Sequence, residues 1–363
     1  MKIAALVLCC ILPVISAQLR VGFYSQSCPL AEAIVQRVVL NRFRTDRSIT
    51  AALLRMHFHD CFVQGCDASL LIDSTPTKSS EKDTEPNFSV RGYDLIDEIK
   101  KNLEAACPSI VSCADVVALA TRDSVALAGG PRYSLPTGRR DGLVSDAEEV
   151  DLPGPDLSVQ EALPFFTAKG MNLNDMVTLL GAHTIGITHC SFIQDRLFDF
   201  DGTKKPDPSM DPALVTQLSR TCQAPGGSSD PQVFLDQNAS FVVDNQFYSQ
   251  VIKKRGILPI DVNLGTDRSS APIVARFASN GNLFNQNFVN ALIKLANVEV
   301  LVGSAGEIRK NCRVFNPKSS IPKPGPPKTP PPKKSPPRKA PSPPPKKSSG
   351  KKPRTPPKKP GGN

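Results

Sequence analysis

Eight cysteines spread between Cys28 and Cys312 constrain this chain more than any other feature. Two further cysteines, Cys9 and Cys10, lie in an N-terminal stretch with the form of a secretory leader. That stretch has a basic start at Met1-Lys2, an apolar run from Ile3 to Ile15 and small residues at Ser16-Ala17. Cleavage is expected after Ala17, and the run is too short to span a bilayer. The chain left after cleavage carries Cys28, Cys61, Cys66, Cys107, Cys113, Cys190, Cys222 and Cys312. An even number in an exported chain predicts four disulfides, and counting alone leaves about a hundred possible pairings.

Charge divides the remaining chain in two. Between Lys318 and Asn363 there are fourteen Lys or Arg, no Asp or Glu, and seventeen of the 35 prolines. Subtracting those cations and Lys2 from the total of +10 leaves residues 18–317 at −5. A mildly acidic body is therefore expected to carry a strongly basic tail. This excludes a nucleic-acid-binding core and places any affinity for polyanions in the tail. With almost no apolar side chain to bury, the tail is expected to be disordered and rich in polyproline II. The predicted organisation is a leader at 1–17, a folded domain at 18–317 and a tail at 318–363.

Within the body, apolar residues recur at helical spacing. Helices are predicted over Ala31–Thr45, Ile49–Phe62, Tyr93–Ala106, Ser112–Leu127, Asn174–Leu180, Cys190–Phe198, Asn245–Arg255, Ala271–Ala278 and Asn282–Leu295. Gly129-Gly130-Pro131 and Leu152-Pro153-Gly154-Pro155 read as breaks. No run of alternating strands appears, so roughly ten helices in one disulfide-stapled α domain are expected.

The densest chemistry lies between Arg55 and Ser69. Arg55 and His59 are four residues apart, which on a helix places their Cβ atoms about 5–6 Å apart on one face. A cation beside a neutral imidazole can move protons next to developing negative charge. Asp60, Asp67 and Ser69 surround the short Cys61–Cys66 loop and offer the oxygen ligands that suit calcium. His57, His59, Cys61 and Cys66 also resemble a zinc cluster. Structural zinc sites usually repeat a Cys/His pair further along, and none follows here. A second constellation, Gly181-Ala-His183-Thr-Ile-Gly186, ends an apolar helix in a histidine flanked by small residues. It offers one imidazole and space for a flat macrocycle against the backbone.

Arg-x-His-Phe-His-Asp-Cys at 55–61 and Gly-Ala-His-Thr-Ile-Gly at 181–186 resemble the signatures of the class III secretory plant peroxidases. The similarity extends over nearly all of Gln18 to Asn316, including the cysteine spacing and Gly138-Arg139-Arg140-Asp141. It implies an all-α, two-lobed fold with haem b between distal and proximal helices. It also implies the pairings Cys28–Cys107, Cys61–Cys66, Cys113–Cys312 and Cys190–Cys222. His59 resembles the distal acid–base, Arg55 the charge stabiliser, Asn87 the acceptor that fixes the His59 tautomer, and Phe58 the ring walling the distal pocket. His183 resembles the axial iron ligand, and Asp261 its carboxylate partner. Here Leu-Pro-Ile-Asp-Val-Asn-Leu departs from the family's usual Ser-Asp-Gln.

Two calcium sites follow from the same resemblance. The distal one maps to Asp60, Val63, Gly65, Asp67 and Ser69, with Glu81 acting through water. The proximal one maps to Thr184, Asp236, Ala239, Val242 and Asp244. Ala239 stands where the family normally has Thr, so one hydroxyl ligand is missing and the proximal site is expected to be weakened. Ser240, the next residue, is a possible replacement. Pro153 resembles a residue at the exposed haem edge, with Glu85, Asp156 and Phe192 as further hints to donor character. The chain has no tryptophan, and Tyr133 stands where the family commonly has one. Asn87-Phe-Ser and Asn238-Ala-Ser are formal glycosylation sequons, and the distal role of Asn87 leaves Asn238 as the usable one.

The function expected is a secreted peroxidase that reduces hydrogen peroxide and oxidises phenolic or other small aromatic donors one electron at a time. It is expected to be a monomer in the cell wall, with the vacuole as the alternative address. Acidic wall polysaccharide is a further expected partner through the tail. The competing reading is a wall structural or adhesion protein that acts mainly through its extensin-like tail. A zinc hydrolase is the remaining rival.

Overall fold

The computed structural model describes residues 18–223 and 229–317; the leader and the basic tail lie outside them. The described residues form twelve α-helices joined by loops and short 3-10 turns. In chain order they are α1 (Ala31–Thr45), α2 (Ile49–Val63), α3 (Tyr93–Ala106), α4 (Cys113–Leu127), α5 (Val159–Ala168) and α6 (Leu173–Leu180). There follow α7 (Gln194–Phe198), α8 (Pro212–Thr221), α9 (Gln246–Ile252), α10 (Pro259–Thr266), α11 (Ala271–Ser279) and α12 (Gly281–Leu295). Three of these, α5, α8 and α10, escape the periodicity reading. Pro164 interrupts the pattern of α5, and Pro259 and Gly265 disguise α10. The Asp211-Pro212 start of α8 is an ordinary capping signal: Asp211 Oδ1 accepts from Leu214 N at 2.9 Å, and proline is tolerated in the first turn. Two three-residue strands, β1 (Ile187–His189) and β2 (Gln232–Phe234), pair antiparallel. Each is too short to show a period of two in sequence.

Buried side chains fall into two hydrophobic cores, which gives the two-lobed form. One core is built from α1, α3, α4 and the Ile49, Ala52, Leu53 and Met56 side of α2. The other collects α5 to α12 and takes Leu54, Cys61 and Phe62 from the same helix. Helix α2 thus lies at the boundary, buried on two sides, and reads as an almost continuous apolar run. Tyr133 packs against both cores, so it serves as a filler where the two meet.

The disulfides join Cys28–Cys107, Cys61–Cys66, Cys113–Cys312 and Cys190–Cys222, the pairs implied by the resemblance. Cys113–Cys312 ties the start of α4 to the C-terminal end of the folded region. The Gly138–Asp141 stretch works alongside it. Arg139 and Asp115 form a fully buried ion pair at 2.6 Å, and Arg139 Nε donates to Ala296 O at 2.7 Å. Asp141 accepts from Ala114 N at 2.9 Å and from Arg309 N at 2.8 Å. Tyr24 Oη donates to Asp115 Oδ2 at 2.6 Å and Arg139 Nη1 donates to Pro136 O at 2.9 Å, and such added bonds offset part of the desolvation cost of a buried pair.

Candidate active site

Helix α2 presents Arg55 and His59 one turn apart, and Arg55 Nε donates to His59 Nε2 at 3.1 Å. His59 is buried. Its Nδ1 donates to Asn87 Oδ1 at 2.6 Å. The orientation of that amide is unambiguous, because Asn87 Nδ2 donates to the Glu81 carbonyl at 2.7 Å and a carbonyl can only accept. Neutral His59 therefore carries its proton on Nδ1 and keeps a lone pair on Nε2. Burial, with the Arg55 cation as second cause, lowers its pKa to about 3.

The segment that carries Asn87 also holds Arg55, a relation that sequence reasoning missed. Arg55 Nη2 donates to Pro86 O at 2.8 Å, and Nη1 donates to Ser89 Oγ at 2.9 Å. One short 3-10 turn, Glu85–Asn87, with the residues after it, thus fixes both polar groups of the helix face. Phe58 lies half-buried beside them, 5.8 Å from the His59 ring and 4.2 Å from Phe62 between centroids.

On the proximal side, α6 is closed by a 3-10 turn, Gly181–Thr184, that carries His183. A side chain at Gly181 would collide with the hydroxyl of Tyr248, and Gly186 has φ of +98°, so both positions favour glycine. Asp261 lies in the first turn of α10 and is fully buried. Its Oδ1 accepts from His183 Nδ1 at 2.7 Å, and its Oδ2 accepts from Leu258 N at 3.0 Å. The capping bond locks the carboxylate, and the carboxylate in turn leaves Nε2 of His183 free to bind a metal. With a quarter of its side chain exposed, His183 faces an opening rather than the core. A half-buried Pro153 lies in a segment tied to the same helix, since Ile260 N donates to Pro155 O at 3.0 Å.

Two further clusters of oxygen atoms flank these histidines. Around the Cys61–Cys66 loop, Asp60 Oδ1, Ser69 Oγ and both carboxylate oxygens of Glu81 are buried without a hydrogen-bond partner. Burial, reinforced by the neighbouring Asp67 charge, raises Asp60 well above its ordinary value. Burial likewise raises Asp67 and pushes Glu81 up to about 8. Crowded, desolvated carboxylates with orphan oxygens fit a divalent cation. Lys169, a residue sequence reasoning did not single out, donates to the Val63 carbonyl at 3.0 Å. In the second cluster, Thr184 Oγ1 lies 3.1 Å from Asp244 Oδ1 and 3.3 Å from Val242 O. Asp236 Oδ2 is buried and unpartnered there. Beside it, Ser240 Oγ donates to Asp236 O at 2.8 Å.

The zinc alternative fails on the sulfur chemistry. His57, Cys61 and Cys66 do lie together, but the two cysteines are joined and supply no thiolate. Burial, followed by the Arg139 cation, lowers His57 to about 3, consistent with a neutral core imidazole.

Residues 35–280 match the family model described as "Peroxidase". Peroxidase 44 of Arabidopsis thaliana is 59% identical over 309 residues, covering 85% of this chain and 96% of that protein. Peroxidase 57 of the same plant is 59% identical over 311 residues, 86% of this chain and 97% of its own length. Peroxidase 5 of Vitis vinifera is 46% identical over 316 residues, 86% and 95% of the two chains.

Proposed function

The chain belongs to the class III secretory plant branch of the peroxidase family, and from that premise we propose residue roles for its reaction. Its activity is that of a peroxidase, taking hydrogen peroxide and a reducing donor, and this replaces the structural-protein reading of the tail. Family membership implies haem, which when bound supplies the redox centre that accepts the oxidising equivalents of peroxide. The chain's own groups fit such a ligand: His183 would hold it through Nε2, with Asp261 on Nδ1 keeping the imidazole oriented and electron-rich.

The observation that carries the distal assignment is the Asn87–His59 bond. It fixes the proton on Nδ1, so that Nε2 can take a proton from one peroxide oxygen and later deliver it to the departing one. Arg55, held by Pro86 and Ser89, places its guanidinium beside that imidazole, where negative charge develops as the O–O bond breaks. Phe58 limits access to the distal side. Small phenols are the donors that best suit the reading of Pro153 at an exposed edge.

We further assign the two oxygen clusters to calcium, the distal one through Asp60, Val63, Gly65, Asp67 and Ser69 with Glu81 behind. The proximal one would use Thr184, Asp236, Ala239, Val242 and Asp244. The orphan carboxylate oxygens support this assignment. The proposed catalytic domain is 18–317. Its basic tail, 318–363, would tether the secreted enzyme to acidic wall polysaccharide. Among the described residues no helix is long and apolar enough to cross a membrane.

The test is an absorption spectrum of the purified protein before and after one equivalent of peroxide, followed by turnover of a small phenol. A Soret band that responds to peroxide is expected. A protein that takes up haem but leaves peroxide intact would overturn the distal assignment.

A further inference from the structure

Asp261 receives its capping bond from Leu258 N, so the direction of its carboxylate depends on where the backbone just before α10 runs. That stretch is held from another helix. Arg196, in α7, is buried, and its Nη1 donates to Gly256 O at 3.0 Å and to Ile257 O. Its Nε donates to Asp207 Oδ2 at 2.9 Å, and both side chains of this ion pair are only 4% exposed. The loop after α7 closes on the same residue, where Asp207 N donates to Arg196 O at 2.8 Å. Gly256 in turn packs directly on Asp261: a Cβ placed at Gly256 would lie 3.1 Å from Asp261 Cβ and 3.2 Å from Val262 N.

A second observation concerns the space beside this grip. A cavity of about 190 Å³, lined by Phe200, Pro259, Val262 and Asn263 together with the Arg196–Asp207 pair, borders the first turns of α10. Close packing would otherwise fix a helix in place, and here it is incomplete. Among the described residues no other side chain bonds to the carbonyls of Gly256 and Ile257. A buried ion pair is costly to desolvate and by itself is weak support for stability, so its use lies in what it orients.

On the roles assigned above to His183 and Asp261, we propose that Arg196 is a positioning residue for the proximal histidine. By fixing Gly256 and Ile257 it sets where Leu258 N and Asp261 stand, and through them the strength of the Asp261–His183 bond. A firmly placed carboxylate on Nδ1 makes Nε2 a stronger donor to iron. Loosening the grip weakens that donation, which lowers the iron–histidine stretching frequency. It also raises the reduction potential, because the ferric state loses electron density from its ligand.

Removing Arg196 alone would strand the Asp207 carboxylate in the interior. The test therefore uses the double variant Arg196→Met with Asp207→Asn, which removes both charges. Alongside it, Arg196→Lys keeps a cation and replaces the planar fork by a single nitrogen. Full-length, haem-loaded proteins are compared by resonance Raman spectroscopy and redox titration. Both variants should lower the iron–histidine frequency and raise the potential, in the direction of Asp261→Asn and by a smaller amount, with haem content unchanged. In an Asp261→Asn background the same substitutions should add no further shift, because the bond they act through is already lost. Unmoved frequency and potential in either haem-loaded variant, or a shift that persists undiminished in the Asp261→Asn background, overturns the role of Arg196. If Asp261→Asn by itself moves neither quantity, the assignment of Asp261 fails, and the role of Arg196 fails with it.

Discussion

Asp261 and His183 are 78 residues apart in sequence, yet their side chains meet at 2.7 Å because Asp261 also caps its own helix through Leu258 N. The carboxylate is held from two directions, so its charge stays on the Nδ1 side of the imidazole. Asp261→Asn keeps the size of the side chain and removes the charge. Outer-shell partners of metal-bound histidine typically contribute about 10–100-fold to affinity or activity. A fall of that order in phenol turnover is expected, with haem still bound and its reduction potential raised. Unchanged potential and turnover would remove Asp261 from this role.

The depressed pKa of His59 sets the acid limit of the peroxide step. Neutral imidazole is the active base, and it persists down to its pKa of about 3. The rate of peroxide consumption should therefore stay level from neutral pH down to about 4, and fall only as pH approaches 3. A midpoint near the ordinary histidine value of about 6.5 would contradict the buried, Arg55-facing geometry. His59→Ala should slow the step by about 10²–10⁴-fold at all pH values, read by stopped-flow absorbance.

Ser89 is expected to act by positioning Arg55. Its hydroxyl is one of two anchors on the guanidinium and is exposed. Loss of a hydrogen bond of this kind contributes roughly 0.5–1.5 kcal/mol, or roughly 2–10-fold in rate. Ser89→Ala should lower the peroxide rate constant by that factor without altering phenol oxidation. Ser89→Thr, which keeps the hydroxyl, should restore it.

Unequal calcium binding is expected from Ala239, whose side chain offers no oxygen ligand. Titration of metal-depleted protein should resolve a weaker site, and Ala239→Thr should tighten that one alone. Two equal tight sites, indifferent to the substitution, would refute the proximal assignment.

Truncation after Pro317 removes fourteen basic residues from a body that carries −5. Activity on a small phenol should be unchanged. Retention on a polygalacturonate column should be lost with those cations, and for the full chain it should be reversed by salt, which screens such charges over about 8 Å at physiological strength. Elution of both forms at one salt concentration would rule out a tether.

The sequence alone determined the local part of this protein. Periodic apolar residues specified the long helices, since a helix buries one stripe whatever it packs against. The four-residue step from Arg55 to His59 fixed their shared face. The two histidine motifs carried the family resemblance, and with it the disulfide pairing and Asn87 and Asp261 as partners. Tertiary structure decided what depends on chain segments meeting at a distance. The closure of Pro86 and Ser89 on Arg55, the second bond that locks Asp261, and the contact of Lys169 with Val63 leave no local signal, because each partner is an ordinary residue in its own segment. Helix α10 is the clearest instance: Pro259 and Gly265 weaken its intrinsic pattern, and only its packing and the Asp261 cap reveal it. The orientation of Ser240 is decided in the same way. Sequence could place a hydroxyl beside the lost threonine position, but the direction of that hydroxyl depends on how the loop closes over Asp236.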